Sequence, residues 1–250
     1  MNLQNPKKFK MLVDQAHEVA LNVLRPVSRK YDKAEHAYPK ELDMLSSLVD
    51  GMNEGGEGMN AGAAGAGKRS DNEEQGNRNG TNMSTALSII EMCYGDTGLL
   101  LSMPRQGLGN SAIAAVANDE QLERFKGTWA AMAITEPGCG SDSAAIRTTA
   151  TKDGDDYILN GEKIFVTSGE RADSVVVWAT LDKKLGRAAI KSFVVPKGTA
   201  GMKVERLEHK LGIKASDTAV ISFIDCSVPA ENLLGSAEGD IAKGSAGVME

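Results

Sequence analysis

The spacing of apolar residues changes near residue 129, from a helical period to a period of two. Residues 7–50 and 81–128 carry apolar side chains three and four positions apart, which predicts amphipathic helices. Beyond residue 129, apolar and polar positions alternate, which predicts half-buried strands. The predicted strands are 129–135, 146–152, 156–160, 162–167, 174–181, 189–195, 202–208 and 217–224. The pattern therefore predicts an α+β protein, with its helices first and its sheet second.

Prolines and short apolar runs add detail to the helical part. Pro26 falls inside the first helical pattern, where a proline should kink or divide the helix. Pro39 precedes a second pattern that begins at Lys40, as expected near the start of a helix. Further helices are predicted at 84–92, 112–117 and 119–125.

Glycine-bearing turns indicate how the strands pair. Asp153-Gly154 and Asn160-Gly161 are typical of tight hairpins, because glycine accepts the positive φ that these turns require. Consecutive hairpins without intervening helices predict an antiparallel sheet or barrel.

Residues 51–80 have a different composition, with nine glycines in thirty positions and almost no large apolar side chain. Such a segment buries too little apolar surface to offset the entropy lost on ordering. We expect a mobile insertion on the surface. A lid, or a flexible pair of helices that serves binding, is the alternative.

Composition and charge narrow the function. The 250 residues are 41% apolar and 25% charged, which is ordinary for a globular protein of more than one domain. A net charge of −6 argues against partners such as nucleic acid or an anionic membrane surface. No apolar run approaches the roughly 20 residues of a membrane span, and the first residues lack the apolar stretch of a signal peptide. We therefore expect a cytoplasmic protein.

Cysteines and histidines do not indicate a metal site. The three cysteines show no Cys-x-x-Cys or Cys/His spacing, so we expect reduced thiols. The three histidines are scattered along the sequence. These residues are Cys93, Cys139, Cys226, His17, His36 and His209.

Two segments carry candidate chemistry. Residues 131–142 form an apolar strand that ends at Thr135, followed by a turn with two glycines and Ser141. Residues 159–169 form a second strand that ends at Thr167, beside Ser168 and a glycine. Each segment places hydroxyl and backbone N–H groups at the end of a strand. The pair predicts a binding site for a flat, polar cofactor.

Residues 107–112 fit the G-x-G-x-x-A pattern of dinucleotide-binding proteins. However, no good strand precedes them and no βαβ unit surrounds them, so we do not expect a Rossmann site. These small residues instead indicate a close approach of helices, or room for a ligand chain.

Six motifs, in order, resemble the acyl-CoA dehydrogenase family of flavoproteins. They cover nearly everything except the Gly-rich insertion, and lie at 91–98, 118–121, 133–142, 159–169, 210–218 and 228–235. The resemblance implies an N-terminal helical domain at 1–128 with the insertion at 51–80. It also implies an antiparallel, barrel-like middle β-domain at 129–235 that binds FAD. Residues 236–250 would begin a C-terminal four-helix domain, which we expect to be essentially absent from this chain.

The same resemblance implies a reaction, the α,β-dehydrogenation of an acyl-CoA thioester to the trans-2-enoyl-CoA. A base removes the α-proton, a hydride passes to the flavin, and an electron-transferring flavoprotein receives the electrons. Acyl-CoA oxidases and flavin monooxygenases share the fold but use oxygen, so they remain alternatives. Another alternative is a non-catalytic subunit of a heteromeric dehydrogenase. The simplest alternative is a β-domain that binds no cofactor.

The resemblance also assigns site residues. Residues expected to contact FAD are Met132, Ile134, Thr135, Gly140, Ser141, Phe165, Thr167 and Ser168. Thr167 would hydrogen-bond flavin N5, and Phe165 stands where many relatives carry a tryptophan against the ring. Residues expected to contact acyl-CoA are Ser141, Tyr94, Leu99 and Met103. Ordinary structural roles are the alternative, because Thr is common in strands, Gly in turns, and Phe or Met in cores.

No residue of the chain is predicted as the catalytic base. In the family that base is a carboxylate from the C-terminal domain. Glu136 and Glu250 are the carboxylates one could nominate, but the first lies in the flavin turn and the second at the terminus. We expect a part of a longer homo- or hetero-oligomeric enzyme, such as a tetramer, that binds flavin weakly and turns over little alone.

Overall fold

The computed structural model describes residues 7–54, 81–104 and 108–235. Its contacts divide the chain into two compact units. Met1–Gln106 with His209–Ser216 form one, here called the helical unit, and Gly107–Glu208 with Asp217–Glu250 form the other, the sheet unit. The domain boundaries implied by the family remain a prediction. Most of the Gly-rich insertion and all of 236–250 lie outside the described residues.

Among its described residues, the helical unit contains four α-helices. They are α1 (Lys10–Val19), α2 (Arg25–Lys33), α3 (Glu41–Glu54) and α4 (Thr81–Leu101). A π-helical turn, Ala20–Leu24, joins α1 to α2, and Pro26 lies in the first turn of α2. The expected division at Pro26 therefore takes the form of a change in helix type just before the proline. The core includes Leu24, Tyr31, Leu42, Met92, Leu99 and Met103.

Helix α4 contains an interruption at Asp96, whose φ of −171° and ψ of 121° are extended. The Asp96 carboxylate accepts a hydrogen bond from the Leu99 amide at 2.8 Å. This is the bond that an N-cap makes, so the carboxylate restarts the helix after the break. The preceding Gly95 is required by packing, because a Cβ there would lie 2.9 Å from the Ala20 backbone.

Seven strands form one sheet, in the order β1-β4-β2-β3-β7-β6 with β5 beside β4. They are β1 (Ala130–Ala133), β2 (Thr149–Asp153), β3 (Asp156–Thr167), β4 (Ser174–Thr180), β5 (Ile190–Pro196), β6 (Met202–Leu207) and β7 (Thr218–Pro229). The sheet curls and is mixed, so the predicted antiparallel sheet is wrong. Strand β4 pairs in parallel with β1 and, at its end, with β2. The long connection from β1 to β2 removes the hairpin between them and lets β1 pair with a later strand.

The two predicted hairpin turns have opposite outcomes. A hairpin joins antiparallel β2 and β3 as predicted, but its two turn residues are Gly154 and Asp155, and Gly154 has a φ of +55°. Asn160-Gly161 is not a turn, because β3 continues through it, with a register shift against β7 between Leu159 and Gly161. Gly161 has a φ of +154°, and a Cβ there would lie 2.4 Å from Thr148 Oγ1. The glycine is needed because Thr148 approaches the strand closely.

Both faces of β4 are covered, as its seven buried residues require. Val175 and Val177 belong to one apolar cluster, and the alternating Val176 and Trp178 belong to another. The second cluster includes side chains of α5 (Leu108–Val116). A short helix, α6 (Asp119–Arg124), follows with a complete capping box between Asn118 and Gln121.

Helix α5 explains the apparent dinucleotide motif. A Cβ at Gly109 would lie 2.3 Å from the Ala131 carbonyl oxygen and 2.6 Å from that of Ala130. The glycine therefore allows the helix to touch the backbone of β1. The close approach was predicted between helices, whereas at Gly109 it is made between a helix and a strand.

Candidate functional site

The turn that follows β1 is organised around the buried carboxylate of Glu136, which is 6% exposed. One oxygen accepts hydrogen bonds from Thr148 N at 2.9 Å, Thr148 Oγ1 at 2.6 Å and Lys163 Nζ at 2.8 Å. The other oxygen accepts from Arg147 N at 2.6 Å. The two oxygens thus receive four N–H and O–H donors, which fix both ends of the connection between β1 and β2.

Lys163 ties this turn to strand β3. Its side chain is fully buried, and Nζ also donates to the Ile134 carbonyl oxygen at 3.0 Å. The neighbouring Ile164 amide donates to the Thr135 carbonyl oxygen at 2.9 Å. The backbone at Thr135 is therefore held against β3 at Ile164, one residue before Phe165 and three before the strand end at Thr167.

The charges of this pair are set by burial and hydrogen bonding. Burial acts to raise the pKa of the Glu136 carboxyl group, but the hydrogen bonds from Lys163 and Thr148 outweigh it and the pKa is lowered. Burial lowers the pKa of Lys163, and its bond to Glu136 opposes this. A carboxylate with this many donors is a poor proton acceptor. Glu136 therefore holds the turn together and is not suited to act as a base.

A bulge in β3 brings Phe165 to the surface. The register against β7 shifts between Lys163 and Val166, where β3 has one extra residue. Phe165 occupies the bulge with a φ of +58°, an uncommon value for a bulky side chain. The ring is 61% exposed instead of packing in a core. An exposed aromatic ring on a strained backbone is the arrangement expected of a ligand-contacting residue.

Asp217 holds the turn after Thr167. Its carbonyl oxygen accepts from the Ser168 amide at 3.1 Å, and its carboxylate accepts from the Glu170 amide at 2.9 Å. Thr167 pairs with Thr218 at the start of β7 and is partly exposed. Ser168 is only 3% exposed and its amide is already bonded, so only its hydroxyl could serve a ligand.

The turn from Gly138 to Ser141 is open. A Cβ added to Gly138 would meet nothing within 4 Å, and one added to Gly140 would meet only the Thr135 methyl group, at 3.8 Å. Among the described residues, none accepts a hydrogen bond from the backbone N–H groups of Gly138, Gly140 or Ser141. Neither glycine has a positive φ. Neither packing nor backbone conformation therefore requires glycine at these two positions. The open turn is suited to a ligand that approaches its backbone amides.

The other candidate residues lie in more ordinary surroundings. Met132 and Ile134 are partly buried against the cluster that contains Trp178. In the helical unit, Leu99 and Met103 are buried in the core. Tyr94 is 53% exposed and stacks on His17, with ring centroids 5.7 Å apart. The roles of all these residues in binding remain predictions.

Sequence reasoning missed Lys163, Thr148 and Asp217 as the residues that shape the site. A signal for Lys163 exists, because it continues the inward positions of Tyr157 and Leu159 on β3. A charged residue at an inward strand position requires a buried partner. The identity of that partner, 27 residues away, follows only from the fold.

Comparisons with known proteins agree with this geometry. Residues 131–226 match the family model of the acyl-CoA dehydrogenase middle domain. The short-chain specific acyl-CoA dehydrogenase of Clostridium acetobutylicum is 36% identical over 65% of this chain and 45% of the relative. Over most of its length, the chain is similar to members of the acyl-CoA dehydrogenase family.

Solved structures extend the similarity beyond the middle domain. Butyryl-CoA dehydrogenase of Megasphaera elsdenii is 29% identical with a TM-score of 0.74, over 94% of this chain and 60% of that one. A structure named for the electron transferring flavoprotein of Acidaminococcus fermentans is 31% identical with a TM-score of 0.74 and the same coverage. The chain spans about half the length of the curated relatives it matches. Within the described residues, no helix is long and apolar enough to cross a membrane.

Proposed function

We propose that this chain is the flavin-holding part of an FAD-dependent acyl-CoA dehydrogenase. One observation carries the proposal: the ends of two strands, at Thr135 and at Thr167, are held next to each other. The turn after Thr135 has free backbone amides, whereas the turn after Thr167 is bonded to Asp217. The buried Glu136–Lys163 pair, at 2.8 Å, keeps the first strand end against β3. A fixed geometry of this kind is what orienting a cofactor requires.

The residues of the site have separate tasks in this proposal. The amides of Gly138, Gly140 and Ser141 bind an anionic group, since several N–H groups directed at one place favour negative charge. The Thr135 and Thr167 hydroxyls donate hydrogen bonds to the edge of the ring, and Phe165 packs against its face. Bound FAD supplies the hydride acceptor. The chain's own contribution is to position the ring and to stabilise negative charge on it.

The substrate class follows from the relatives. Those named as short-chain specific acyl-CoA dehydrogenases favour a short acyl-CoA thioester. We also propose an electron-transferring flavoprotein as the electron acceptor and an oligomeric assembly. A reducing compartment such as the cytoplasm would suit the three free cysteines. The catalytic base remains the carboxylate predicted in the C-terminal domain of the family.

The test is a titration of the purified 250-residue protein with FAD, followed by butyryl-CoA, while the flavin absorption spectrum is recorded. We expect weak but saturable FAD binding, a change in the spectrum on adding butyryl-CoA, and little turnover with an artificial electron acceptor. Absence of any FAD binding would refute the proposed function. Turnover typical of a complete enzyme would instead refute the expectation that the base lies elsewhere. Hydrogen peroxide produced during turnover would favour the oxidase alternative.

A further inference from the structure

The helical unit brings together two histidines that lie far apart in the sequence. His36 follows α2, and His209 begins the segment His209–Ser216. Their rings lie 5.1 Å apart between centroids, and Glu35 lies beside both. One ligand atom from each of the three side chains lies within 4.8 Å of the other two. The scattered positions of the histidines gave no indication of this cluster.

The cluster has one largely buried carboxylate and one exposed histidine. The Glu35 side chain is 16% exposed, and one of its oxygens accepts the Lys210 amide at 2.9 Å. The other oxygen lies 2.9 Å from His209 Nδ1. The His209 side chain is 82% exposed, so its ring can move without disturbing a core. His36 Nε2 lies 4.0 Å from the first oxygen, and its side chain is 18% exposed.

We propose that Glu35, His36 and His209 bind a divalent transition-metal ion of the Zn²⁺ class, which fastens His209–Ser216 to the end of α2. Two imidazoles and one carboxylate are a donor set that suits Zn²⁺. Ligands about 2.0–2.1 Å from a tetrahedral ion lie roughly 3.4 Å apart, so the three side chains need to close by about 1 Å. The hydrogen bond from the Lys210 amide orients the carboxylate, as outer partners do in metal sites.

Binding exchanges a proton for the ion. The proton between His209 Nδ1 and Glu35 leaves to solvent, and Nε2 of a neutral ring takes one up, so that Nδ1 is free for the metal between Glu35 and His36. Lys214 is the cation whose charge acts on Glu35, and it opposes a second positive charge there.

The experiment is a calorimetric titration of Zn²⁺ into the metal-free protein and into three variants. Removal of even an outer partner typically costs roughly 10- to 100-fold in affinity. We therefore expect His36→Gln and His209→Gln each to weaken binding at least about tenfold. His17→Gln is the matched control, since His17 also pairs with a glutamate, Glu91 at 2.7 Å, but its ring stacks on Tyr94 instead of a second histidine. Its affinity should equal that of the unmodified protein.

Nuclear magnetic resonance of the unmodified protein provides a second readout that needs no variant. Zn²⁺ should shift the ring signals of His36 and His209 and leave those of His17 unchanged. Three results would overturn the proposal: no binding of Zn²⁺, equal binding by the unmodified protein and both cluster variants, as cysteine ligation would give, or an equal loss in His17→Gln.

Discussion

Replacing Lys163 with methionine tests how the two strand ends are joined. Methionine keeps an unbranched side chain of similar length but removes the charge and the donors. The change leaves the Glu136 carboxylate buried without its cation and leaves the Ile134 carbonyl oxygen without its donor. The site would lose the link between β3 and the turn, while its glycines and threonines stay unchanged.

The expected magnitude follows from burial. Lys163 is fully buried and Glu136 is 6% exposed, so water cannot replace the lost interaction without opening the turn. Removal of one partner from a buried ion pair typically costs about 3–5 kcal/mol. In the variant, burial should raise the folded-state pKa of Glu136 above its ordinary value of 4.5. The loss of stability should therefore grow as the pH rises through and above this value, because a proton can neutralise the carboxylate only at low pH.

Urea unfolding followed by tryptophan fluorescence measures this loss locally. The protein has two tryptophans, Trp129 and Trp178, and both are buried in the sheet unit. Lys203→Met is the matched control, because Lys203 also pairs with a glutamate at 2.7 Å but is 71% exposed on β6. The double variant Glu136→Gln/Lys163→Met should recover part of the loss. A loss in Lys163→Met no larger than in the control would refute the structural role of the pair.

Two further substitutions test the helix contacts. Gly109→Ala should destabilise the sheet unit by about 1–3 kcal/mol in the same fluorescence assay, because its Cβ would overlap the carbonyl oxygens of β1; an unchanged midpoint would contradict the close approach. The hydrogen bond from Lys30 and that from Tyr31 lower the pKa of Glu41 from 4.5 to about 2. Its stabilising effect is therefore complete above 4.5 and lost as the pH falls toward about 2. Helical circular dichroism of Glu41→Gln should thus show a stability deficit at neutral pH that shrinks in acid, and a pH-independent deficit would count against this assignment.

Local signals predicted the elements well but not their long-range pairing. Alternation located β4 and β5 to within one or two residues, and Asp153-Gly154 marked a true hairpin, since both depend on neighbouring positions. The parallel contact of β1 with β4 depends on residues more than forty positions apart. The error at Asn160-Gly161 has the same origin, because Thr148 and not a turn requires the glycine.

The candidate site shows the same limit. The turn after Thr135 and the residues around Thr167 were predicted as two strand ends with free donors. The buried ion pair that joins these strand ends could not be predicted, because no local sequence pattern specifies which carboxylate contacts Lys163. The exposure of Phe165 could not be predicted either, because it results from a β-bulge that places the ring on the surface.

The central claim is that the open turn at Gly138 receives part of a bound FAD. It is tested most directly by comparing FAD affinity, from quenching of flavin fluorescence, between the unmodified protein and Gly138→Ala. An added methyl group meets no protein atom within 4 Å, so urea unfolding should be unchanged. The account predicts that FAD binding weakens by about tenfold, equivalent to about 1.4 kcal/mol, at equal stability. Equal FAD affinity in the two proteins would contradict it.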